Sequence, residues 1–420
     1  MTSTVAPAGV LTFEQAFEVV SAYEAKVSAP AVENVALLDS LGRVLAAPVL
    51  ADRDFPPFPR STRDGYAVRS ADIKILPAKL KIIGQIKAGG DFNRAVASGE
   101  AVEIMTGAAV PEGADAVVMV EHTIRTLAEG SGESDFVQVE RSVAVGENVV
   151  PAGAEARAGD LLLPAGMLIT SAQIAMAAAV GAVTLSVFRQ PKVAILATGD
   201  ELVDVSERPG AHQIRNSNTY SLAAQVTANG GIAWTLPVAP DEERKLSTLI
   251  QAGIHGADLL LLSGGVSMGK FDLVEKVLGE MRAEFHFTGA LIQPGKPVVF
   301  GEVSNGRRKV PFFGLPGNPV SVMVTFDLFV RPVLQALSGC SATRLPFLQA
   351  RLKKAIKTKT GLTRFLPAVV QGGLYDPRVE VIPWQGSGDL LASAKANCYL
   401  VVPPDRETIA EGETVSVLVR

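Results

Sequence analysis

A chain of 420 residues with 48% apolar side chains has room for about three domains and is too hydrophobic to be disordered. Its formal charge of −4 excludes the basic footprint of a nucleic-acid binder. Two cysteines, Cys340 and Cys398, form no CxxC pair, and four histidines are scattered, which excludes a disulfide framework and a zinc ribbon. Residues 1–10 lack the basic start and apolar core of a secretory signal. No apolar run approaches the ~20 residues of a membrane span. A cytoplasmic protein that binds neither membrane nor nucleic acid is expected.

Thr12 with Gln15 forms a capping-box pattern ahead of a helix whose face is Phe13, Ala16, Phe17, Val20 and Tyr23, running through about Val27. Residues 34–50 read as a helical or turn-like piece (Leu37, Leu38, Leu41) leading into a short strand. The proline-rich Phe55 to Pro59 then fixes an extended approach to Asp64-Gly65, a tight turn into a strand. An Asp at such a turn ordinarily caps its own backbone. From Leu80 to Val150 short alternating runs (81–86, 100–105, 116–120, 136–139) predict a small β domain. A second capping box, Thr170 with Gln173, opens a small-residue helix closed by Gly181.

Pro191 marks a change of pattern. Strands at 192–197, 232–238 and 258–262 alternate with helices at 219–228, 242–252 (capped by Asp241) and 272–278. Strands follow near Phe285, Val298 and Phe312, then one long helix from about Val320 to Leu337. Such alternation implies βαβ units around a parallel sheet, and right-handed crossovers bring the strand ends to one edge. Asp200 and Glu201, Asp241, the Ser263-Gly264-Gly265 loop and Leu315-Pro316-Gly317-Asn318-Pro319 all follow strands, so they are expected to converge there. From about Ala342 short strands return as a second β domain, in which Gln385-Gly386-Ser387-Gly388-Asp389 precedes a short helix.

Carboxylates beside glycine loops, with few histidines, suit Mg²⁺, which takes one or two carboxylates plus substrate phosphates. Lys296, between Pro294 and Pro297, is a rigidly mounted cation for an anion. No GxSxG, HExxH, P-loop lysine or GxGxxG pattern is present, which disfavours hydrolase, zincin, NTPase and dehydrogenase readings.

Taken together, the motifs resemble the molybdopterin molybdenumtransferase (MoeA) family, related to the gephyrin E domain. They are Asp64-Gly65-Tyr66-Ala67-Val68, Met105-Thr106-Gly107, Pro111-Glu112-Gly113-Ala114-Asp115, Thr198-Gly199-Asp200-Glu201-Leu202, Ser263-Gly264-Gly265-Val266-Ser267, Pro294-Gly295-Lys296-Pro297, Leu315 to Pro319 and Gln385-Gly386-Ser387-Gly388. The resemblance covers nearly the whole chain, from about Leu11.

It implies a doubly wound, mostly parallel α/β domain at 191–338, with small β domains at 53–150 and 339–420. A discontinuous helical linker domain would use 10–52 and 151–190. It further implies Mg²⁺-dependent insertion of molybdate into adenylated molybdopterin with release of AMP, in an elongated homodimer. Under it, Glu201, Asp241 and Asp272 would serve Mg²⁺ and the pterin phosphate. Asp64 and Thr106 would come from the β domain of the other subunit, the site lying between the sheet domain of one subunit and the β domain of the other, and Ser263, Gly264, Gly265 and Ser267 would line the substrate loop. Pro316, Asn318 and Pro319 would shape the pocket, and Lys296 and Ser387 would hold molybdate. A molybdopterin adenylyltransferase and molybdoenzyme-maturation proteins would be partners.

The chain departs from the family pattern at several positions. Glu155 replaces a usual Asp, Val150 and Pro151 replace nearby basic positions, and Gln293 replaces a common Lys. Leu362 stands at a frequent Arg, Arg364 at a frequent Glu, and Arg63 at a usual Met. Losing charge-assisted donors should weaken an oxyanion pocket. Alternative readings are a molybdopterin adenylyltransferase-type enzyme and a gephyrin-like scaffold or divergent paralogue.

Overall fold

The computed structural model describes residues 9–127, 135–265, 273–341, 345–373 and 375–420. Two compact units divide the chain, Ala47–Pro164 with Ser171–Val183, and Met1–Ala46 with Ala165–Thr170 and Thr184–Arg420.

The smaller unit is built on a six-stranded sheet in the order Ala116–Met119, Gly65–Val68, Glu100–Ile104, Ala78–Ile86, Phe136–Val139, Thr123–Thr126. Alternation sends Tyr66, Val68, Ala101 and Val118 to one core and Ala67, Val102, Ile104 and Val117 to another. Both faces are covered, which is why Gly65–Val68 is buried at every position. Gly65 starts this strand instead of forming the expected turn. A Cβ on it would lie 1.9 Å from the Val118 carbonyl oxygen, so the strand spacing itself requires glycine. In the same unit, the small-residue helix Ser171–Ala179 ends at Gly181 with φ +76°.

The α/β part of the larger unit has the sheet order Ile232–Thr235, Lys192–Ala197, Leu259–Ser263, Lys309–Leu315, Val299–Ser304, Glu284–Phe287. The first four strands are parallel and the last two antiparallel. Leu259–Ser263 is central and fully buried. Leu259 and Leu261 face a core shared with Val193, Ile195, Phe313 and the helices Ser217–Ala228 and Pro319–Leu337. Leu260 and Leu262 face the opposite core, with Ala194, Leu196 and the helices Glu243–Gly256 and Leu273–Glu280. An apolar run without alternation is what burial on both faces demands.

The helix Pro319–Leu337 is long and apolar enough to cross a membrane, contrary to the sequence expectation, but 72% of it is buried within the protein. It also differs from a plain α-helix, widening into a π turn at Phe326–Val330. Pro332 has no N–H for the Leu328 carbonyl, and the wider turn accommodates that missing bond.

The capping box at Thr12 forms as expected, with Thr12 N–H donating to Gln15 Oε1 (3.0 Å) and Gln15 N–H to Thr12 Oγ1 (3.2 Å). Its helix, Phe13–Glu24, packs Phe13 against Phe329 and Phe365. The turn-like piece leading into a short strand expected at 34–50 is present as the turn at Leu38–Ser40 and the strand Val49–Leu50, but it is preceded by an unexpected strand. Val32–Ala36 is a strand paired with Thr184–Phe188, and only Leu38–Ser40 is helical, as one 3₁₀ turn. The leucines that suggested a helical face are exposed, Leu38 at 77% and Leu41 at 61%. The ladder partner comes from far along the chain, where no local pattern reveals it.

Residues 347–419 close a five-stranded barrel, since Thr363–Gly373 pairs with both Asp376–Val381 and Cys398–Val402. Leu366, Leu400 and Val417 fill it. Their neighbours Phe365, Tyr399 and Leu418 point outward into the α/β core. Period-two alternation thus joins the two parts. Ile292–Gln293 adds to the barrel from the α/β side, with Ile292 opposite Thr363 and Gln293 opposite Arg364.

Candidate functional site

The parallel strands deliver their following loops to one edge, where backbone hydrogen bonds tie them together. Thr198 N–H donates to the Ser263 carbonyl (3.0 Å), Ala239 N–H to the Ala197 carbonyl (2.8 Å), and Gly264 N–H to the Leu315 carbonyl (3.2 Å). The convergence expected from strand alternation is therefore present for Thr198 to Glu201, Asp241, Ser263 to Gly265 and Pro316 to Pro319. Ser267 and Asp272 lie outside the described residues.

Gly264 has φ +92°, and a Cβ there would lie 2.7 Å from the Thr198 carbonyl oxygen. Gly265 has φ +66°, and its Cβ would lie 3.0 Å from Thr198 Oγ1. The glycine loop thus lies directly over Thr198. Asn218, in the first turn of Ser217–Ala228, donates from Nδ2 to Ser263 Oγ (3.0 Å) and to the Gly317 carbonyl (2.7 Å). Thr198 Oγ1 and Asn218 Oδ1 are both buried with no partner among the described residues. Buried polar atoms are nearly always satisfied, so two such atoms around one glycine loop mark a place for a hydrogen-bonding ligand.

A carboxylate cluster lies on the same edge. Asp241 N–H donates to Asp200 Oδ1 (3.2 Å). Partial burial, reinforced by the charges of Asp200 and Glu201, pushes the Asp241 carboxyl above its usual range. Glu201 folds over Gly199, where a Cβ would meet Glu201 Oε2 at 2.4 Å. Asp241 does not cap the following helix as expected. Glu242 takes the N-cap position with no side-chain bond, and the Asp241 N–H is instead bonded to Asp200. Among the described residues no three Asp, Glu, His or Cys side chains form a ready-made metal cage.

The N-terminal end of Pro319–Leu337 gathers a second group of residues. Asn318 is its N-cap residue and Pro319 its first position, without a side-chain cap bond. Val320 N–H donates to the Ser387 carbonyl (3.0 Å), bringing the glycine-rich loop of the barrel to this helix end. Asp389 holds that loop, accepting from Gln385 N–H (3.0 Å) and Ala392 N–H (3.1 Å), and these bonds keep its carboxyl below the usual range. The Lys296 turn packs on the same helix, since a Cβ on Gly295 would touch Thr325 Cγ2 at 2.5 Å. Lys296 is exposed and makes no ion pair among the described residues.

In the smaller unit, Asp64 does not cap its own turn. Its Oδ1 accepts from Thr106 N–H (2.7 Å) and Thr106 Oγ1 (2.8 Å), and these bonds hold the carboxyl below its usual range. Of the departures noted in the sequence, Glu155 pairs with Arg60 at 2.9 Å and Arg364 is buried. Sequence reasoning missed Asn218, which reads as one more polar residue after the Asn216 cap. The available signal was a second Asn in the first helical turn beyond a strand end.

Three family descriptions match successive parts of the chain: MoeA N-terminal region (domain I and II) over residues 11–181, probable molybdopterin binding domain over 194–336, and MoeA C-terminal region (domain IV) over 349–419. A molybdopterin molybdenumtransferase of Nostoc sp. is 35% identical over 395 residues, covering 92% of this chain and 88% of the relative. One from Bacillus subtilis is 33% identical over 390 residues, covering 92% and 89%. A crystal structure of a Pyrococcus horikoshii molybdopterin biosynthesis MoeA protein, 28% identical, superposes with a TM-score of 0.80 over 98% of this chain and all (100%) of that one. Another MoeA protein from the same genus, 32% identical, gives 0.72 over 98% and 99%. Matched along its length in the family's own order, the chain belongs to the MoeA family.

Proposed function

We propose that the chain works in molybdenum cofactor biosynthesis as a molybdopterin molybdenumtransferase, inserting molybdate into adenylated molybdopterin with Mg²⁺ and releasing AMP. The observation that supports this reading is the cluster of strand-end loops, where Thr198 Oγ1 and Asn218 Oδ1 lack partners among the described residues beneath a glycine loop beside three carboxylates. A pterin offers N–H donors to such acceptors, and a phosphate can approach glycine backbone closely.

Mg²⁺ fits the donor set without a preformed cage, because it keeps several waters and needs few protein carboxylates. Burial raises the Asp241 carboxyl first and the charges of Asp200 and Glu201 add to it; that added repulsion is the kind a divalent cation relieves. When bound, the ion would supply Lewis acidity to cleavage of the pyrophosphate link. Glu201, Asp241 and Asp272 would hold it. Ser263, Gly264, Gly265 and Ser267 would seat the phosphates, with Asn218 orienting the Ser263 hydroxyl. Pro316, Asn318 and Pro319 would bound the pocket, and Lys296 and Ser387 would hold the oxyanion. Asp64, kept ionised by Thr106, would serve the same reaction. A homodimer, residence in the cytoplasm, and exchange with an adenylyltransferase and molybdoenzyme-maturation proteins complete the proposal.

Incubation with adenylated molybdopterin, Mg²⁺ and molybdate is expected to release AMP and leave molybdenum on the pterin. A folded protein that releases no AMP overturns the reading.

A further inference from the structure

We infer that Arg420 is a positioning residue for the barrel loop 385–389, acting with Asp327 to fix how the helix Leu390–Lys395 sits on the helix Pro319–Leu337. Its bearing on the reaction rests on the function proposed above; its hold on the loop does not.

The helix Pro319–Leu337 carries only two charged residues, Asp327 and Arg331. Asp327 lies in the π turn and is 7% exposed. Burial raises its carboxyl pKa, and the guanidinium groups of Arg331 and Arg420 oppose that rise. Gln225 Nε2 donates to the Met323 carbonyl (3.4 Å) one turn earlier. A buried acid is costly unless positive charge faces it. Arg331 supplies that charge from the helix itself, and Arg420 supplies it from the barrel.

Arg420 meets three groups at this joint. Its Nη1 donates to the Ser393 carbonyl (2.9 Å), its Nη2 lies 3.6 Å from Met323 Sδ, and its guanidinium lies over the Tyr399 ring, 5.2 Å from the centroid. Ser393 closes the contact by donating from Oγ to Met323 Sδ (3.2 Å). Ser393 is in the last turn of Leu390–Lys395, where carbonyls lack helical partners and a cation is favourable. Asp389 caps the opposite end of this helix by accepting Ala392 N–H. The helix is thus pinned at both ends, and its start continues the loop whose Ser387 carbonyl takes the Val320 N–H. Any slip of Leu390–Lys395 past Met323 would move that loop away from the helix end at the candidate site.

Phe365, Tyr399 and Leu418 bury apolar surface between the barrel and the α/β core. Such burial is non-directional, so it holds the two parts together without fixing their register. The hydrogen bonds and charges around Arg420 have defined geometry and supply the register.

The test is hydrogen exchange of the full-length protein without ligands, comparing wild type with Arg420→Met, Arg420→Lys and Asp327→Asn. Arg420→Met is expected to speed exchange of the amides at 385–395 at least tenfold and to leave Leu259–Ser263 as protected as in wild type. Arg420→Lys can still donate to the Ser393 carbonyl and should recover part of the protection. Asp327→Asn keeps the shape without the charge and should speed exchange at 385–395 by about threefold. In turnover, Arg420→Met should raise half-saturating molybdate about fivefold and leave the maximal rate within about twofold of wild type. The inference is overturned if 385–395 exchange as in wild type in Arg420→Met, if Leu259–Ser263 loses protection equally, if Arg420→Lys recovers nothing, or if a loosened loop leaves half-saturating molybdate unchanged. A loop loosened by Arg420→Met, with no AMP release even by wild type, sinks the proposed reaction and leaves the hold on the loop standing.

Discussion

Asp64 Oδ1 accepts two hydrogen bonds from a single residue 42 positions away, the Thr106 backbone N–H and the Thr106 hydroxyl. Both donors favour the ionised carboxyl, so its pKa falls below 3.8. The stabilisation is therefore present at neutral pH and lost as pH falls through the folded-state value. Thr106→Val keeps shape and backbone donor but removes the hydroxyl. The Asp64 carboxyl is expected to titrate higher, still short of 3.8. Carboxyl ¹³C shifts across a pH series measure this, and an unmoved titration would show that the hydroxyl contributes nothing.

Gly264 and Gly386 both have positive φ, at +92° and +114°, but their surroundings differ. A Cβ at Gly264 meets the Thr198 carbonyl oxygen at 2.7 Å, whereas at Gly386 nothing lies within 4 Å. Gly386→Ala should cost about 1 kcal/mol from backbone strain alone, and Gly264→Ala ~3 kcal/mol because backbone must also shift. Denaturant unfolding compares them. Equal losses would mean that the Ser263 to Gly265 loop adjusts freely, which would weaken its role as a fixed wall of the crevice.

Asp241 carries a raised carboxyl pKa, so the sign is opposite to that at Asp64. Its contribution to stability is complete below 3.8 and declines as pH rises through the folded-state value. Asp200→Asn removes one repelling charge while its amide oxygen can still accept the Asp241 N–H. At pH 7 this variant is expected to be more stable on the order of a few tenths of a kcal/mol, given the exposure of the cluster. The difference should shrink towards pH 4, and Mg²⁺ affinity should fall several-fold. Thermal unfolding and Mg²⁺ titration across pH test both; a gap that grows on acidification contradicts the account.

The parallel sheet and both β regions were legible because their signals are local. The unbroken Leu259 to Leu262 run reports burial on two faces, and alternation such as Phe365/Leu366 reports a strand between two cores. Other features depend on distant partners and left no such trace. Val32–Ala36 finds its ladder at Thr184–Phe188, and its own residues, mostly exposed, carry no burial pattern. Motif position located Ser263 and Asp241, but not the hydrogen bonds that give them their setting. Asn218 reaches Ser263 across the sheet edge, and Asp200 accepts the Asp241 N–H from 41 positions away. Arg364 stood out in sequence as a departure, and only the structure shows it buried, donating to the Leu362 carbonyl.

Asp389 positions Ser387 without being close in kind to any ligand group. Its two carboxylate oxygens accept Gln385 N–H and Ala392 N–H, closing the loop on the helix Leu390–Lys395, while the Ser387 carbonyl takes the Val320 N–H. Asp389→Ala removes the N-cap and frees the loop, so the oxyanion concentration for half-maximal molybdenum retention should rise several-fold with AMP release preserved. The carboxyl pKa is depressed by those backbone donors, so the bonds stabilise the fold at neutral pH and weaken as pH falls through the folded value. Wild type and variant should therefore differ in Tm at pH 7 and converge on acidification. Asp389→Asn, which keeps one acceptor oxygen, should fall between them, because it can satisfy Ala392 N–H or Gln385 N–H but not both. Loss of AMP release in either variant would place Asp389 in the pyrophosphate chemistry and overturn a purely positioning role.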